Sequence, residues 1–231
     1  MPGSTVRPPA YQLLADELRA EITSGRLRPG ERLPPEPALC VRSGVSRSTV
    51  REALRLLASQ HLIVTTRGVT GGSFVAHPDA DQLSEALSTG LTLLSNAAAV
   101  GFADLLELRR ALEIPAAALA ATRRTEKNLE QLRGALFDPY QDNLETMLAA
   151  HADFHSAVAK ATGNPLYELV TRPLYHVTYG EEVIENLPDG YWPRIDADHR
   201  ELLDCLVLRD AEAATTVGRR HLDFIDQANQ R

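Results

Sequence analysis

Cysteine is scarce: Cys40 and Cys205 are the only two in 231 residues. Isolated in this way they form no disulfide framework, and each reads as a small buried hydrophobe in a reducing compartment. Long apolar runs are missing as well. No stretch approaches the ~18–20 residues of a membrane span, so no membrane partner is expected. The opening MPGSTVRPPAY lacks the apolar core of a secretory signal, which gives a cytoplasmic protein as the expectation. There is no His-Glu-x-x-His, no Gly-x-Ser-x-Gly and no phosphate-binding loop, so the common signatures of metalloprotease, serine hydrolase and nucleotide-binding chemistry are absent. Lysine does not occur before residue 79.

What is present is unevenly placed. Residues 1–78 carry ten arginines against six acids, a net +4, whereas the chain as a whole is −7, leaving −11 on residues 79–231. A basic head on an acidic body points to a polyanion met by the head alone. The 44% apolar content is ordinary for a globular chain, and the length suits one large domain or two small ones.

Apolar spacing predicts a helix over Tyr11–Ser24, with Leu14, Leu18 and Ile22 on one face and Gly25 at its end. The turn-rich run GRLRPGERLPPEP follows. A short helix comes next at Glu36–Arg42, then a turn at Gly44, then a helix from Ser46 to about Gln60. LIVTT and GSFVA read as two short strands around a glycine-rich tip. Helix, helix, turn, helix, hairpin is a winged helix-turn-helix over residues 1–78, whose third helix can enter a DNA major groove. Residues 79–95 form a linker and first helix. Residues 96–231 read as an all-α domain, with helices near 102–123, 125–136, 142–162, 165–186, 192–208 and 210–229. The fold class is thus mainly α: a small β-hairpin wing on the head, and an antiparallel bundle of six to seven helices behind it.

Ser46-Arg47-Ser48-Thr49-Val50-Arg51 alternates short hydroxyls with arginines at a helix start. Arginine forks onto guanine O6 and N7, short hydroxyls reach phosphates, and a helix N-terminus attracts a phosphate. Ser46, Arg47, Ser48, Thr49 and Arg51 are therefore the DNA-contact candidates. On the wing, Arg67 can reach a phosphate, and Gly71 and Gly72 let backbone approach the duplex.

Four histidines stand where apolar residues belong. His151 and His155 fall within Leu144, Leu148, Val158; His199 lies between Ile195 and Leu202; His221 lies between Val217 and Ile225. A buried imidazole is costly unless its nitrogens are satisfied, and one metal ion satisfies four at once. Nitrogen-only ligation favours Zn, with Ni as the alternative, over Mg or Ca. Four neutral imidazoles leave a divalent charge uncompensated, so the site should attract an anion. The competing reading is four separate hydrogen-bonded core histidines. His176 is a candidate to line the same cavity.

The stretch LRPGERLPPEPAL…SGVSRSTVREALRLLASQHLI…GGSFV resembles the GntR family of bacterial transcription regulators. The later pieces, Glu107-Leu108-Arg109-Arg110-Ala111-Leu112-Glu113, Phe154-His155, Gly163-Asn164-Pro165, His199 and His221, resemble the ligand-binding domain of its FadR subfamily. By that resemblance Arg47, Thr49 and Arg51 fall on DNA-contact positions. Family metal sites use an Asp, a His four later and two distant histidines; here His151 stands at the Asp position. Asp153 cannot replace it, being about 200° round the helix from His155. His151 either ligates or turns aside to leave three histidines. Pro37 stands where relatives often carry a DNA-contacting arginine. Arg109 in the Glu-Leu-Arg pattern is the candidate for pairing with an effector carboxylate, with a salt bridge to Glu107 or Glu113 as the alternative.

The resemblance implies a homodimer on palindromic operator DNA, acting as a repressor released by a small organic acid bound at the metal. Two alternatives remain: a regulator for which the ion itself is the signal, and a metal-dependent hydrolase with a DNA-binding head.

Overall fold

The computed structural model describes residues 8–68, 71–177 and 187–230. Two compact units meet in sequence at Asp79 and Ala80. The first holds helices α1 (Ala10–Thr23), α2 (Glu36–Ser43) and α3 (Arg47–Ser59), then strands β1 (Ile63–Thr66) and β2 (Gly72–Val75). α1 buries Leu14, Ala15 and Leu18 on one face. Gly44 ends α2 at φ 67°, a left-handed conformation that costs glycine nothing. That turn frees Ser46 to cap α3, its Oγ accepting from the Thr49 backbone N–H at 3.2 Å. α3 turns Val50, Ala53, Leu54 and Leu57 into a core shared with Leu14, Leu18, Leu39, Ile63 and Val75. The strands pair antiparallel, Ile63 opposite Val75 and Thr66 opposite Gly72.

The proline-rich run before α2 does more than turn. Leu33 N–H donates to Ser73 O and Val75 N–H donates to Glu31 O, both at 2.8 Å, so Glu31–Leu33 lies along β2. Prolines at 29, 34 and 35 flank those three residues without removing their N–H groups. Three residues are too few to show a strand period, which is why the sequence reads only as turn.

The second unit has seven helices among its described residues: α4 (Ala80–Asn96), α5 (Phe102–Arg123), α6 (Glu126–Gly134), α7 (Leu144–Ala161), α8 (Pro165–Val177), α9 (Tyr191–Leu208) and α10 (Ala211–Asn229). The mainly helical class is as expected from the periodicity. Polar caps define several starts. Thr125, Asn143 and Asp210 each accept from a backbone N–H three residues on. The helix expected over 165–186 is described only to Val177; the rest lies outside the described residues. Packing of α5 on α10 and α7, and of α9 on α10, forms one core around Phe154, Leu202, Leu206 and Val217 and a second around Phe137, Tyr191, Ile195, Leu222 and Ile225. The four histidines are set among these apolar side chains.

Candidate functional site

Each histidine arrives on a helix face that is otherwise apolar. α7 supplies His151 and His155 four residues apart, α9 supplies His199 and α10 supplies His221; all four are buried. One nitrogen from each lies within 4.8 Å of one from every other. His155 Nε2 and His221 Nε2 are 3.2 Å apart, close to the ~3.3 Å ligand edge of a tetrahedral zinc with ~2.05 Å bonds to nitrogen. His199 stacks with two rings, its centroid 4.1 Å from that of Phe154 and 5.0 Å from that of His151. Neither of its nitrogens has a hydrogen-bond partner. A buried imidazole with both nitrogens unmet is costly in a closed core, and it fits a ligand position. Asp153 is exposed on the far side of α7.

Two carboxylates stand behind the imidazoles. A Glu113 carboxylate oxygen on α5 lies 2.9 Å from His155 Nδ1, and one of Asp198 on α9 lies 3.6 Å from His221 Nδ1, which has no hydrogen-bond partner among the described residues. The two Nε2 atoms face one another, and a carboxylate behind Nδ1 is the arrangement that orients a ligating histidine. Burial pushes the Glu113 carboxyl up, but Arg109 and His155 beside it outweigh burial and hold it well below the usual carboxylate range. Asp198 is likewise lowered, burial being overcome by His221, Arg220 and Arg194. Burial drives His151 and His199 well below the ordinary imidazole range, and their charged neighbours add to it. His221 falls to about 4, burial again leading against the pull of Asp198. Neutral imidazoles are the form that binds a metal ion.

Arg109 is fully buried, its Nε donating to Glu113 Oε1 at 2.5 Å and its guanidinium lying 5.3 Å over the Tyr175 ring. Of the two salt bridges open from sequence, the one to Glu113 forms. Glu113 lines the cavity beside the histidines together with Val158, Thr171, Tyr175, Asp198 and Val217; the space is about 20 Å³. His176 lies on the last turn of α8, and its side chain falls outside the described residues. Glu113, though weighed as a partner for Arg109, and Asp198 were not read as part of a site. Their signal was present: Glu113 lies four residues after Arg109, and Asp198 directly precedes His199.

In the first unit Arg47, Ser48 and Arg51 are exposed at the start of α3, with Thr49 half-buried. Arg51 Nε donates to the Glu36 carboxylate at 3.0 Å, so an acid from α2 holds one of the candidate contact groups. Ser46 Oγ lies 2.8 Å from both Ser48 Oγ and Thr49 Oγ1, gathering the three hydroxyls at the helix N-terminus. Arg67 is exposed beside the wing. Gly71 has a local reason of its own: a Cβ there would lie 2.5 Å from Thr66 O. Arg32, unmarked by the sequence, donates to Gly71 O and lies over the Phe74 ring. It braces the wing.

Comparison with known proteins agrees with both halves. The model of bacterial regulatory proteins, gntR family, matches residues 10–75, and the FCD domain model matches residues 104–224. The chain is 36% identical over 159 residues to the HTH-type transcriptional regulator LutR of Bacillus subtilis, covering 68% of each. It is 27% identical over 224 residues to the putative L-lactate dehydrogenase operon regulatory protein of Escherichia coli, covering 94% of this chain and 85% of the other. In fold it is similar to the solved Streptococcus agalactiae GntR, with a TM-score of 0.60 at 23% identity over 94% of this chain and 99% of that one. No described helix is long and apolar enough to cross a membrane. The chain belongs to the gntR family of bacterial regulatory proteins, a DNA-binding transcription regulator, not an enzyme, whose second unit is an FCD effector-binding domain.

Proposed function

We propose that this regulator is a homodimeric repressor that binds a palindromic operator and is released by a small carboxylate acting at a metal held by His151, His155, His199 and His221. The observation that carries the reading is the convergence of four buried imidazoles within 4.8 Å inside an FCD domain. Zinc, or nickel in its place, would supply a Lewis-acidic centre for an anion's oxygen. The chain's own residues do the rest. Glu113 and Asp198 orient His155 and His221, and apolar side chains keep bulk water out. Arg109 meets an effector carboxylate only if Glu113 releases it. In the head, Arg47, Thr49 and Arg51 read the major groove, Ser46 and Ser48 meet phosphate, and Arg67 and Gly71 place the wing. A coupling of ~1–3 kcal/mol between the two sites suffices for a five- to hundredfold change in operator affinity. The Escherichia coli relative is named for an L-lactate dehydrogenase operon, which makes a 2-hydroxy acid the first effector class to try.

One observation favours a second reading, in which the ion itself is the signal. A cavity of about 20 Å³ holds about one water, not a three-carbon acid. Elemental analysis of purified protein, followed by operator titration with chelator, with zinc, and with zinc plus L-lactate, decides the matter. Absence of bound zinc together with no uptake on titration sinks both readings. A response to zinc alone selects the second.

A further inference from the structure

The two histidines that face one another across the site are backed unequally. His155 Nε2 and His221 Nε2 are 3.2 Å apart, a hydrogen bond whose proton either ring can supply. A Glu113 oxygen lies 2.9 Å from His155 Nδ1, whereas Asp198 Oδ2 stops 3.6 Å from His221 Nδ1. Asp198 is engaged elsewhere. Arg194 Nε lies 3.2 Å from both of its oxygens, and Arg220 Nη2 donates to Oδ1 at 2.8 Å. Arg220 also donates to Glu201. Asp198 thus stands between buried His221 and three side chains that reach solvent, Arg194, Arg220 and Glu201.

Counting protons fixes which nitrogen each neutral ring protonates. Against burial, Arg109 and His155 hold the Glu113 carboxyl ionised, and an ionised carboxylate only accepts. His155 therefore carries its proton on Nδ1, which leaves its Nε2 bare. The bond between the two rings needs one proton, so His221 supplies it from Nε2. His221 Nδ1 is then bare as well, and it faces a carboxylate. Two acceptors do not bond. The 3.6 Å gap, and the lack of a hydrogen bond to Nδ1 among the described residues, follow from that assignment without having entered it. Metal ligation needs the opposite arrangement at His221. A ligating Nε2 gives up its lone pair, so the proton has to sit on Nδ1, where Asp198 is the acceptor within reach.

We propose that His221 is a tautomer switch: in the metal-free protein its proton is on Nε2 and bonds to His155, and in the metal-bound protein it is on Nδ1 and bonds to Asp198. One proton leaves Nε2 for water and one is taken from water at Nδ1, so the ring stays neutral. Asp198 is the positioning residue that reads the change, because accepting from Nδ1 loosens its hold on Arg194 and Arg220. The inference rests on the metal reading above and adds what the site passes to the surface of α9 and α10. Long-range proton–nitrogen NMR of the full chain, labelled with nitrogen-15 at histidine and held at about pH 8, where an ordinary imidazole is neutral, tests it. His221→Gln and His155→Gln assign the two rings. Without metal, His155 should show Nδ1–H and His221 Nε2–H; with zinc, both should show Nδ1–H. His221 already Nδ1–H without metal, or His155 protonated on both nitrogens, overturns the switch. Chelator competition for zinc gives a readout with opposite signs, with far-UV circular dichroism as a check on folding. Arg220→Gln frees Asp198 for His221 and should tighten zinc about tenfold, and Arg220→Lys should return the wild-type value. Asp198→Asn offers an amide N–H to the bare Nδ1, favours the metal-free tautomer, and should weaken zinc about tenfold. A network that only props up the fold weakens zinc in both, and that result overturns the role of Asp198. A wild type that takes up no zinc overturns the metal reading and the switch with it; one that takes up zinc while His221 keeps its tautomer overturns the switch alone.

Discussion

Replacing His199 by leucine should stabilise the metal-free protein while weakening its hold on metal. His199 is about 1% exposed, and neither ring nitrogen has a hydrogen-bond partner. Each unmet buried polar group costs about 1–3 kcal/mol. Against this, the imidazole stacks on Phe154 at 4.1 Å with planes 7° apart, a contact worth about 0.5–1.5 kcal/mol beyond burial. Leucine removes both nitrogens, keeps an apolar group near Phe154 and Phe137, and forfeits the stacking. With both nitrogens removed, the balance is a gain of about 0.5–5.5 kcal/mol in the absence of metal. Urea unfolding at fixed protein concentration, followed by helical circular dichroism with chelator present, measures it. The same titration with excess zinc should stabilise the wild type by RT ln(1 + [Zn]/Kd) and stabilise His199→Leu by less. If His199→Leu is the less stable protein in chelator, the imidazole is a structural core residue and the ligand reading fails at this position.

The same burial gives a pH dependence. His151, His199 and His221 have folded pKa values below the ordinary one, His221 at about 4. Their unfolded value is ~6.5, so as pH falls the unfolded state takes up protons first; stability is full above ~6.5 and is lost as pH falls towards 4. His221 alone removes about 2 kcal/mol between pH 8 and pH 5, and a metal-free protein of constant stability over that range contradicts the burial argument. Arg47→Ala should lower operator affinity by about 1–3 kcal/mol and relax base preference, with zinc uptake unaltered; fluorescence anisotropy against operator and scrambled duplexes reads both. Glu113→Gln keeps an acceptor for His155 Nδ1 but drops the charge. Chelator competition should show zinc affinity reduced by about tenfold or more, and unchanged affinity would make Glu113 a partner of Arg109 alone.

Much of this was legible in the chain itself. Gly44, the Ser46 cap and the Val50, Leu54, Leu57 stripe announce α3, because capping and period-3.6 burial are local. The four histidines showed themselves by occupying apolar positions on three helices, and helical spacing alone assigns them inward. What the sequence did not reveal lies in contacts between elements distant along the chain. Arg32 reaches Gly71 across 39 residues, and no local pattern marks an arginine that braces a hairpin. Asp198 lies 3.6 Å from His221 Nδ1, 23 positions on, while its immediate neighbour His199 draws the eye. Gly71 was legible as a glycine, but the local reason was not: the wing's own Thr66 carbonyl leaves no room for a side chain there.

Charge is where sequence and structure differ most usefully. An aspartate replaced by His151 suggests a site that has lost its negative charge and holds a bare divalent ion among neutral rings. Glu113 and Asp198 restore two negative charges one imidazole further out, but each is itself paired with arginine, Glu113 with Arg109 and Asp198 with Arg194 and Arg220. The carboxylates therefore do not neutralise a divalent ion, and anion attraction survives. Whichever partner holds Glu113 decides how much negative charge backs His155. On the proposed reading, an effector carboxylate that competed with Glu113 for Arg109 would by the same act change how His155 on α7 is held.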